Sequence, residues 1–259
     1  MDGGTTNSMP INLFPSPGSK SRLAGHLVNL YPAHVRYVEP FAGGAACFWG
    51  KQPSPVEVLN DYDNDIVGAY KVVRDMTPDQ MREFMAKNWL VNEATFALAQ
   101  QPSNDLLEQV YRFVYRRRAS FMARENRIAR GRIGKVIPIG RYIQALHYRL
   151  QGVEILQGDG LRLLKEMDTP DTFFFIDPPW PKYFWKWNHY TMDNIRDLAN
   201  ALVNVKKAKW MWAETPTLWN ELPRGEIEQW DVREINMSAT GFNGRRSVKT
   251  ELLMSNYPI

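Results

Sequence analysis

The sequence Arg36-Tyr37-Val38-Glu39-Pro40-Phe41-Ala42-Gly43-Gly44 decides the fold class of this chain. It begins as a short apolar strand and reaches two glycines, which predict a tight turn into a helix over residues 45–49. A second apolar strand over residues 56–59 runs into Asn60-Asp61, and apolar side chains then recur at helical spacing up to Met76. This β-α-β-α order predicts an α/β domain with a parallel sheet.

Strands and helices alternate again in the second half of the chain. Residues 77–118 keep a helical period, and we expect these apolar positions in a core: Phe84, Trp89, Phe96, Leu106, Leu107, Val110, Tyr111 and Val114. Glycines and β-branched residues over 131–140 predict a hairpin or a loop. Further strands are predicted at 154–157, 172–176 and 210–212, and two extended segments at 234–239 and 251–257 join through residues 241–244. The pattern predicts a sheet domain formed by residues 1–76 and 151–259, interrupted by a mostly helical insertion over residues 77–150.

Composition excludes several classes of protein. The chain has 259 residues, of which 44% are hydrophobic and 23% are charged, so it can bury a core and remain globular. Its longest strongly apolar run, residues 173–176, is far below the roughly 18 residues of a membrane span, and residues 1–8 lack the layout of a signal peptide. One cysteine, Cys47, and four scattered histidines favour a reducing, cytoplasmic location and predict no metal site.

Positive charge is concentrated in one segment. The chain has a formal net charge of +4, yet residues 112–141 hold ten basic residues and one acidic residue, Glu125, so the remainder is net negative. A single arginine in such a run lies on a solvated helix face about as often as in a binding site. Ten like charges repel one another, and a polyanion relieves that repulsion, since arginine pairs well with phosphates and guanine. We therefore predict a nucleic-acid surface that includes Arg116, Arg124, Arg127, Arg130, Arg132, Lys135 and Arg141.

The turn after the first strand lies at a carboxyl strand end, where parallel sheets bind ligands. Glycines there allow a backbone to approach a ligand closely, although a bare strand-to-helix turn has the same pattern. Asp61 follows Gly43 by 18 residues and ends the second strand, near the spacing of about 20 residues at which an acidic side chain binds ribose hydroxyls. We predict an adenosine-containing cofactor. The Gly-x-Gly-x-x-Gly pattern of a dinucleotide site is absent, so a nicotinamide cofactor is not expected.

The most specific motif is Asp177-Pro178-Pro179-Trp180, which follows the apolar strand Phe173-Phe174-Phe175-Ile176. Proline has no N–H and a fixed φ, so carbonyl oxygens beside the two prolines stay out of a hydrogen-bond ladder. A carboxylate, a carbonyl acceptor and an aromatic face would together bind an exocyclic amine and the flat ring that carries it. An ordinary Asp-Pro turn after a strand is the less favoured alternative.

Several motifs together resemble the DNA adenine methylase (Dam) family, class D12 N6-adenine-specific DNA methyltransferases. They occur in the family's order over nearly the whole chain: Pro17-Gly18-Ser19-Lys20, Val38-Glu39-Pro40-Phe41-Ala42-Gly43-Gly44, Leu59-Asn60-Asp61 and Asp177-Pro178-Pro179-Trp180. Residues 130–142 are similar to the family's target-recognition hairpin, and residues 249–257 to its closing strands. The resemblance implies a Rossmann-like sheet that binds S-adenosylmethionine, with an inserted, mostly helical target-recognition domain for double-stranded DNA. It also implies methyl transfer to N6 of a flipped-out adenine, at a GATC-like site. We expect the protein to be a monomer or weak dimer.

The resemblance also implies roles for single residues. For the cofactor site these are Phe14, Ser16, Lys20, Glu39, Phe41, Gly43, Asp61, Asp159 and Asp177. Within that set Lys20 would lie near the methionine part, Asp61 at the ribose and Asp159 at the adenine. For catalysis, Asp177 and the carbonyl of Pro178, followed by Pro179, would accept from the N6 amine, while Trp180 stacks on the base. Three positions depart from the family: Ser16 replaces an aromatic residue, Gly160 a phenylalanine and Trp180 a tyrosine.

Several alternatives stay open at this level. N4-cytosine or RNA-directed amino-methyl transfer is the nearest, and a non-catalytic DNA-binding module would explain the arginines alone. A P-loop phosphatase is disfavoured because Ser19 and Phe14 stand where its glycines belong. Four aromatic residues after the motif either line a base pocket or only pack: Trp185, Trp187, His189 and Tyr190. The enzyme could act alone, accompany a restriction nuclease or come from a phage.

Overall fold

The computed structural model describes residues 11–180, 190–219, 222, 225, 227–240 and 246–259. The chain forms two compact units that alternate along the sequence. The helical unit comprises Gly43–Pro53, Asp63–Gln157 and the described residues up to Asn29, and the sheet unit comprises Leu30–Ala42, Ser54–Tyr62 and the described residues from Gly158 onward. The functional division predicted at residues 77 and 150 stays a prediction.

The strands of the described residues form one mixed, seven-stranded sheet, in agreement with the predicted α/β class. In chain order they are β1 (Arg36–Glu39), β2 (Val56–Asp61), β3 (Glu154–Gln157), β4 (Thr172–Ile176), β5 (Lys209–Glu214), β6 (Asp231–Thr240) and β7 (Arg246–Ser255). Across the sheet their order is β3-β2-β1-β4-β5-β7-β6. The pairs β1–β2, β1–β4 and β4–β5 are parallel, as predicted, whereas β7 is antiparallel to both β5 and β6.

Strand β4 lies inside the parallel part of the sheet, which explains why its residues are almost continuously apolar. All of them are buried, because the strand has a neighbour on each side and both of its faces are covered. Arg36 pairs with Val56 and with Thr172, so β1, β2 and β4 start in register. Their carboxyl ends therefore meet at one edge of the sheet, which we call the carboxyl edge.

Helices fill the connections between strands. In the helical unit they are α1 (Ala24–Leu27), α2 (Ala46–Gly50), α3 (Asn64–Asp75), α4 (Pro78–Ala86), α5 (Glu93–Ala99), α6 (Leu106–Ala119) and α7 (Ile143–Leu150). In the sheet unit they are α8 (Gly160–Glu166), α9 (Met192–Val203) and α10 (Pro216–Trp219). Side-chain caps fix several starts, because Asp63, Thr77 and Asp105 each accept a hydrogen bond from a first-turn N–H.

The core predicted for residues 77–118 is largely confirmed. Seven of the positions are buried: Phe84, Trp89, Phe96, Leu107, Val110, Tyr111 and Val114. Leu106 is 66% exposed, so its assignment to the core is wrong. It is the first residue of α6, and its neighbour Leu107 takes the buried face instead.

Residues 131–140 form a loop, so the hairpin that the resemblance implied for residues 130–142 is wrong. Two 3₁₀ turns, Arg130–Arg132 and Pro138–Arg141, occupy most of this segment. Between them the backbone pairs with the segment after α4. Gly134 N donates to Val91 O at 2.8 Å, and Val91 N donates to Lys135 O at 2.9 Å. The hydrogen bonds of a hairpin are thus replaced by bonds to a distant part of the chain.

The extended pair predicted for residues 234–257 is confirmed as β6 and β7, both starting earlier than predicted. The predicted connection over residues 241–244 lies outside the described residues. Over the described parts of the chain, no helix is long and apolar enough to span a bilayer. Nor do three or more His, Cys, Asp or Glu side chains group there in a way that could hold a metal ion.

Candidate active site

The carboxyl edge of the sheet unit collects acidic side chains. Glu39 of β1 is 3% exposed and accepts a hydrogen bond from the Tyr37 hydroxyl at 2.7 Å. Asp61 ends β2 and Asp177 follows β4, and both are half-buried. Glu214 ends β5 and is fully buried. Glu214 was not predicted as a site residue, because its only signal in the sequence is its place at the end of an apolar strand.

The motif after β4 leaves the sheet at once. The strand ends at Ile176, and residues 177–180 have no regular secondary structure. Pro178 is buried and Trp180 is 8% exposed. A carboxylate and an aromatic ring are therefore presented within four residues of a rigid, buried strand.

Asn60 links two turns at this edge, the turn over residues 40–42 and the turn over residues 158–160. Its Nδ2 donates to Pro40 O at 2.8 Å and to Gly158 O at 3.0 Å, and the side chain is 1% exposed. The backbone adds a bond from Ala42 N to Asn60 O at 2.8 Å. In the sequence Asn60 stands out only as part of the motif Leu59-Asn60-Asp61, which predicts no role for its side chain.

Gly160 is required by a close approach between the same two turns. A Cβ at this position would lie 2.7 Å from the Pro40 carbonyl oxygen and 2.9 Å from Cζ of Phe41. Contacts that short do not occur with real side chains, and one of the atoms belongs to the backbone. The phenylalanine that the family often has here cannot fit, because the Phe41 ring already fills the space.

Asp159 precedes Gly160 and is exposed. It is the N-cap of α8, where one carboxylate oxygen accepts a hydrogen bond from Leu161 N at 2.9 Å. This cap fixes the side chain at the start of the helix, on the turn that Asn60 binds. Two adjoining turns thus carry a carboxylate and an aromatic ring, since Asp159 lies on one of them and Phe41 on the other.

Tyr190 borders this pair of turns. Its ring meets the Phe41 ring edge-on, with centroids 6.5 Å apart and planes at 77°. Burial raises the pKa of Tyr190, and the carboxylates of Glu214, Asp159 and Asp197 raise it further, so the phenol stays protonated. Trp185, Trp187 and His189, which were grouped with Tyr190, lie outside the described residues.

The other predicted cofactor residues belong to the helical unit. Phe14 is buried against the rings of Tyr70 and Phe113, at centroid distances of 5.2 and 4.9 Å. Lys20 is 3% exposed, and its Nζ donates to Gly18 O at 3.2 Å. The half-buried Ser16 lies against the turn at Gly43 and Gly44, since a Cβ at Gly44 would be 3.2 Å from Ser16 N. In that turn Gly43 has a positive φ of 49°.

The basic segment divides into two groups. In α6, arginines bind partners within the helical unit: Arg112 pairs with Glu108 at 2.7 Å, and Arg116 and Arg117 pair with Glu125 at 3.0 and 2.6 Å. Arg116 also donates to Ala99 O at 2.5 Å. Arg116, predicted to bind DNA, is therefore engaged in the packing of its own segment.

The second group is exposed: Arg127, Arg130, Arg132, Lys135 and Arg141, with Arg124 half-buried. Three residues in the preceding turn have positive φ, namely Met122, Ala123 and Glu125. Strained non-glycine backbone of this kind often marks a binding segment. Burial lowers the pKa of Arg118 to about 10, and the charge of Arg132 adds to the effect.

Comparison with known proteins agrees with this arrangement. The family model of the D12 class N6 adenine-specific DNA methyltransferases matches residues 16–211, about three quarters of the chain. The chain belongs to this family. It is also 26% identical over 238 residues to the type II methyltransferase M.CviBI of Paramecium bursaria Chlorella virus NC1A, an alignment that covers 85% of this chain and 89% of the relative.

As a D12 methyltransferase, the enzyme methylates N6 of adenine in DNA in a site-specific way. Membership decides against N4-cytosine transfer, RNA-directed transfer and a non-catalytic DNA-binding module. The match begins at Ser16 and ends within β5. It therefore contains the four motifs on which the resemblance rests.

Proposed function

We propose that the carboxyl edge of the sheet unit is the methyl-transfer site, with S-adenosylmethionine as donor and a flipped adenine of double-stranded DNA as acceptor. The observation that carries this proposal is the abrupt end of the buried strand β4 at Asp177-Pro178-Pro179-Trp180. The same edge carries Glu39 and Asp61. Packing alone gives no reason for a carboxylate and two prolines at that point.

The residues of this edge fit an adenosine-containing methyl donor. Asp61 would accept hydrogen bonds from ribose hydroxyls, Asp159 would face the adenine, and Phe41 would contact the adenine ring. The chemistry of these side chains suits such a donor, because the carboxylates of the half-buried Asp61 and the exposed Asp159 can accept hydrogen bonds from hydroxyl and amino groups. When bound, the cofactor supplies an electrophilic methyl group on a sulfonium. The cofactor roles of the helical-unit residues Phe14, Ser16, Lys20 and Gly43 remain predictions.

The chain's own task is to make a poor nucleophile reactive. The N6 lone pair of adenine is delocalised into the ring. The Asp177 carboxylate and the Pro178 carbonyl would each accept one N–H, which draws the nitrogen toward tetrahedral geometry and directs its lone pair out of the ring plane. The carboxylate would also stabilise the positive charge that develops on nitrogen, and the fixed geometry supplies positioning.

An adenine inside a duplex cannot reach these acceptors, so it must leave the stack. Extrusion costs on the order of a few kcal/mol, and stacking on Trp180 would offset part of that. Indole stacks at least as well as the phenol that is commoner in the family. Because Trp180 is 8% exposed, its ring has little freedom to turn before the base arrives.

We propose that the exposed basic residues of the helical unit bind the DNA backbone, as part of a target-recognition domain over residues 77–150. These are Arg127, Arg130, Arg132, Lys135 and Arg141, with Arg124 beside them. Exposed apolar side chains accompany them, since Ile133 is 50% and Val136 is 66% exposed. A basic surface with apolar side chains suits phosphates together with base edges.

We infer the biological setting of this enzyme from its similarity to M.CviBI. M.CviBI is a type II methyltransferase. We propose that this enzyme likewise methylates a short fixed site, GATC-like by family resemblance, within a restriction-modification system. It would act in the cytoplasm as a monomer or weak dimer.

The test is expression of the enzyme in a host without DNA methylases, followed by sequencing of modified bases. The wild type should leave N6-methyladenine at one short sequence, and Asp177→Ala should leave none while keeping its melting temperature. Asp171→Ala is the matched control, since that aspartate lies at the other end of β4, where Val35 N and Arg36 N bond to its backbone oxygen. Methylation by Asp177→Ala at a rate near wild type would remove Asp177 from the mechanism.

A further inference from the structure

We propose that Asn60 is a positioning residue of the cofactor site, which sets the separation of the turn over residues 40–42 and the turn over residues 158–160. The proposal rests on the function proposed above, since those turns carry Phe41 and Asp159. Asn60 itself would not touch the donor. It would act through the two carbonyl groups that it holds.

The donor capacity of the Asn60 side chain is completely used. An amide nitrogen has two hydrogens, and Nδ2 donates one to Pro40 O at 2.8 Å and one to Gly158 O at 3.0 Å. The side chain is 1% exposed, so water cannot replace either bond. Loss of the amide would therefore leave two carbonyl oxygens short of a donor at the edge of the site.

Backbone bonds hold the same turns against β2 but cannot set their separation alone. Ala42 N donates to Asn60 O at 2.8 Å, and Gly158 N donates to Asp61 O at 3.1 Å. Each turn is thus joined to its own residue of β2. The Asn60 side chain, in contrast, is hydrogen-bonded to both turns at once.

The space between the two turns is already at its minimum. The site of a Gly160 Cβ is 2.7 Å from the Pro40 oxygen, the same oxygen that Asn60 binds, and 2.9 Å from Phe41 Cζ. A small opening of the turns would therefore move Phe41 away from Gly160 and from Asp159. Because a donor held between an aromatic face and a carboxylate needs both at a fixed distance, affinity should respond to such a movement.

The strand itself does not depend on this amide. β2 pairs with β1 from Val56 to Leu59, and Val58 and Leu59 are buried in the core. Asn60 lies beyond the last residue of β2 that pairs with β1. Removing its side-chain donors should loosen the turns and leave the sheet in place.

The experiment compares Asn60→Ser with Asn256→Ser. Asn256 is a matched control because its side-chain amide also bridges the backbone, with Nδ2 donating to Ala208 O at 2.9 Å and Oδ1 accepting from Trp210 N at 3.0 Å, at the start of β5. Titration calorimetry would measure the Kd for S-adenosylmethionine. Hydrogen exchange in the protein without cofactor would follow the amides of Ala42 and Gly158.

We expect Asn60→Ser to raise the Kd and the KM for S-adenosylmethionine about tenfold or more. At saturating cofactor, kcat and DNA affinity should stay within about twofold of wild type, and Ala42 and Gly158 should exchange faster. Asn256→Ser should lower the melting temperature without any of these changes.

An unchanged Kd for the cofactor in Asn60→Ser would overturn the proposal, and so would an equal rise in that Kd in Asn256→Ser. Loss of the folded state in Asn60→Ser would also overturn it, because the amide would then be a requirement of the fold. The function proposed above fails in a different way, since a wild-type enzyme that does not bind S-adenosylmethionine would overturn it whatever Asn60 does.

Discussion

At the scale of single residues, Gly160 shows why a departure from a family pattern needs a structure to explain it. In the sequence it is a glycine that follows Asp159, at a position where the family often has phenylalanine. In the fold, the ring of Phe41 lies where that side chain would be, although the two residues are distant in the chain. The sequence could place Glu39, Asp61 and Asp177 at strand ends, because strand ends are local patterns, and their roles in the site stay predictions. It could not predict Asn60 or Gly160, whose importance comes from contacts between separate turns.

Gly160→Ala should destabilise the enzyme, because its methyl group would meet the Pro40 oxygen at 2.7 Å and that oxygen cannot move without breaking its bond to Asn60. We expect a cost of about 1–3 kcal/mol, which is a fall in melting temperature of about 2–10 °C. Differential scanning calorimetry would measure it. Gly68→Ala in α3 is the control, since nothing lies within 4 Å of its Cβ site, and it should keep or raise the melting temperature. Equal melting temperatures for the Gly160→Ala variant and the wild type would show that the turns yield easily.

At the scale of elements, the basic residues within α6 differ from those that follow it, although a count of charges treats them as one group. Its arginines at 112, 116 and 117 pair with Glu108 and Glu125, whereas the basic residues after it in the chain are mostly exposed. The single acidic residue of the segment, Glu125, thus pairs with two arginines inside the helical unit and offsets one of their two positive charges. Sequence alone predicted a basic surface, but the division needed the helix geometry. The predicted hairpin failed for a similar reason, since its backbone partners lie after α4.

Neutralising Arg130, Arg132 and Lys135 together as glutamines should weaken DNA binding and flatten its salt dependence. Each phosphate contact contributes about 0.9 to the slope of log K against log salt, so the slope should fall by about 2–3. Fluorescence anisotropy with a labelled duplex at several salt concentrations would measure it. Arg162→Gln combined with Arg196→Gln removes two exposed arginines of the sheet unit and should leave the slope nearly unchanged. If the triple variant keeps the wild-type slope, these residues do not contact phosphate.

At the scale of the whole molecule, the parallel register of β1, β2 and β4 brings together side chains that are far apart in the chain. Glu39, Asp61 and Asp177 reach one edge because their strands start in register and run the same way. This was predictable from the alternation of strands and helices. The antiparallel position of β7 between β5 and β6 was not, because the sequence of an extended segment does not specify its neighbours.

S-adenosylmethionine should raise the melting temperature of the wild type in the absence of DNA. At a concentration about 100 times the Kd, binding adds about 2.7 kcal/mol to the free energy of unfolding. In Asp61→Ala the shift should be much smaller at the same concentration, whereas Asp79→Ala, an 85% exposed aspartate in α4, should retain it. A wild type whose melting temperature responds to DNA and not to the cofactor would contradict the proposed donor.

The placement of β7 has a consequence for how the protein is made. β7 follows β6 in the chain, yet it separates β6 from β5, so the ladder beside β5 stays open until residues 246–255 have left the ribosome. During translation the edge of β5 is an unpaired template for other chains. A nascent methyltransferase should therefore remain inactive and depend on chaperones until synthesis of β7 is complete.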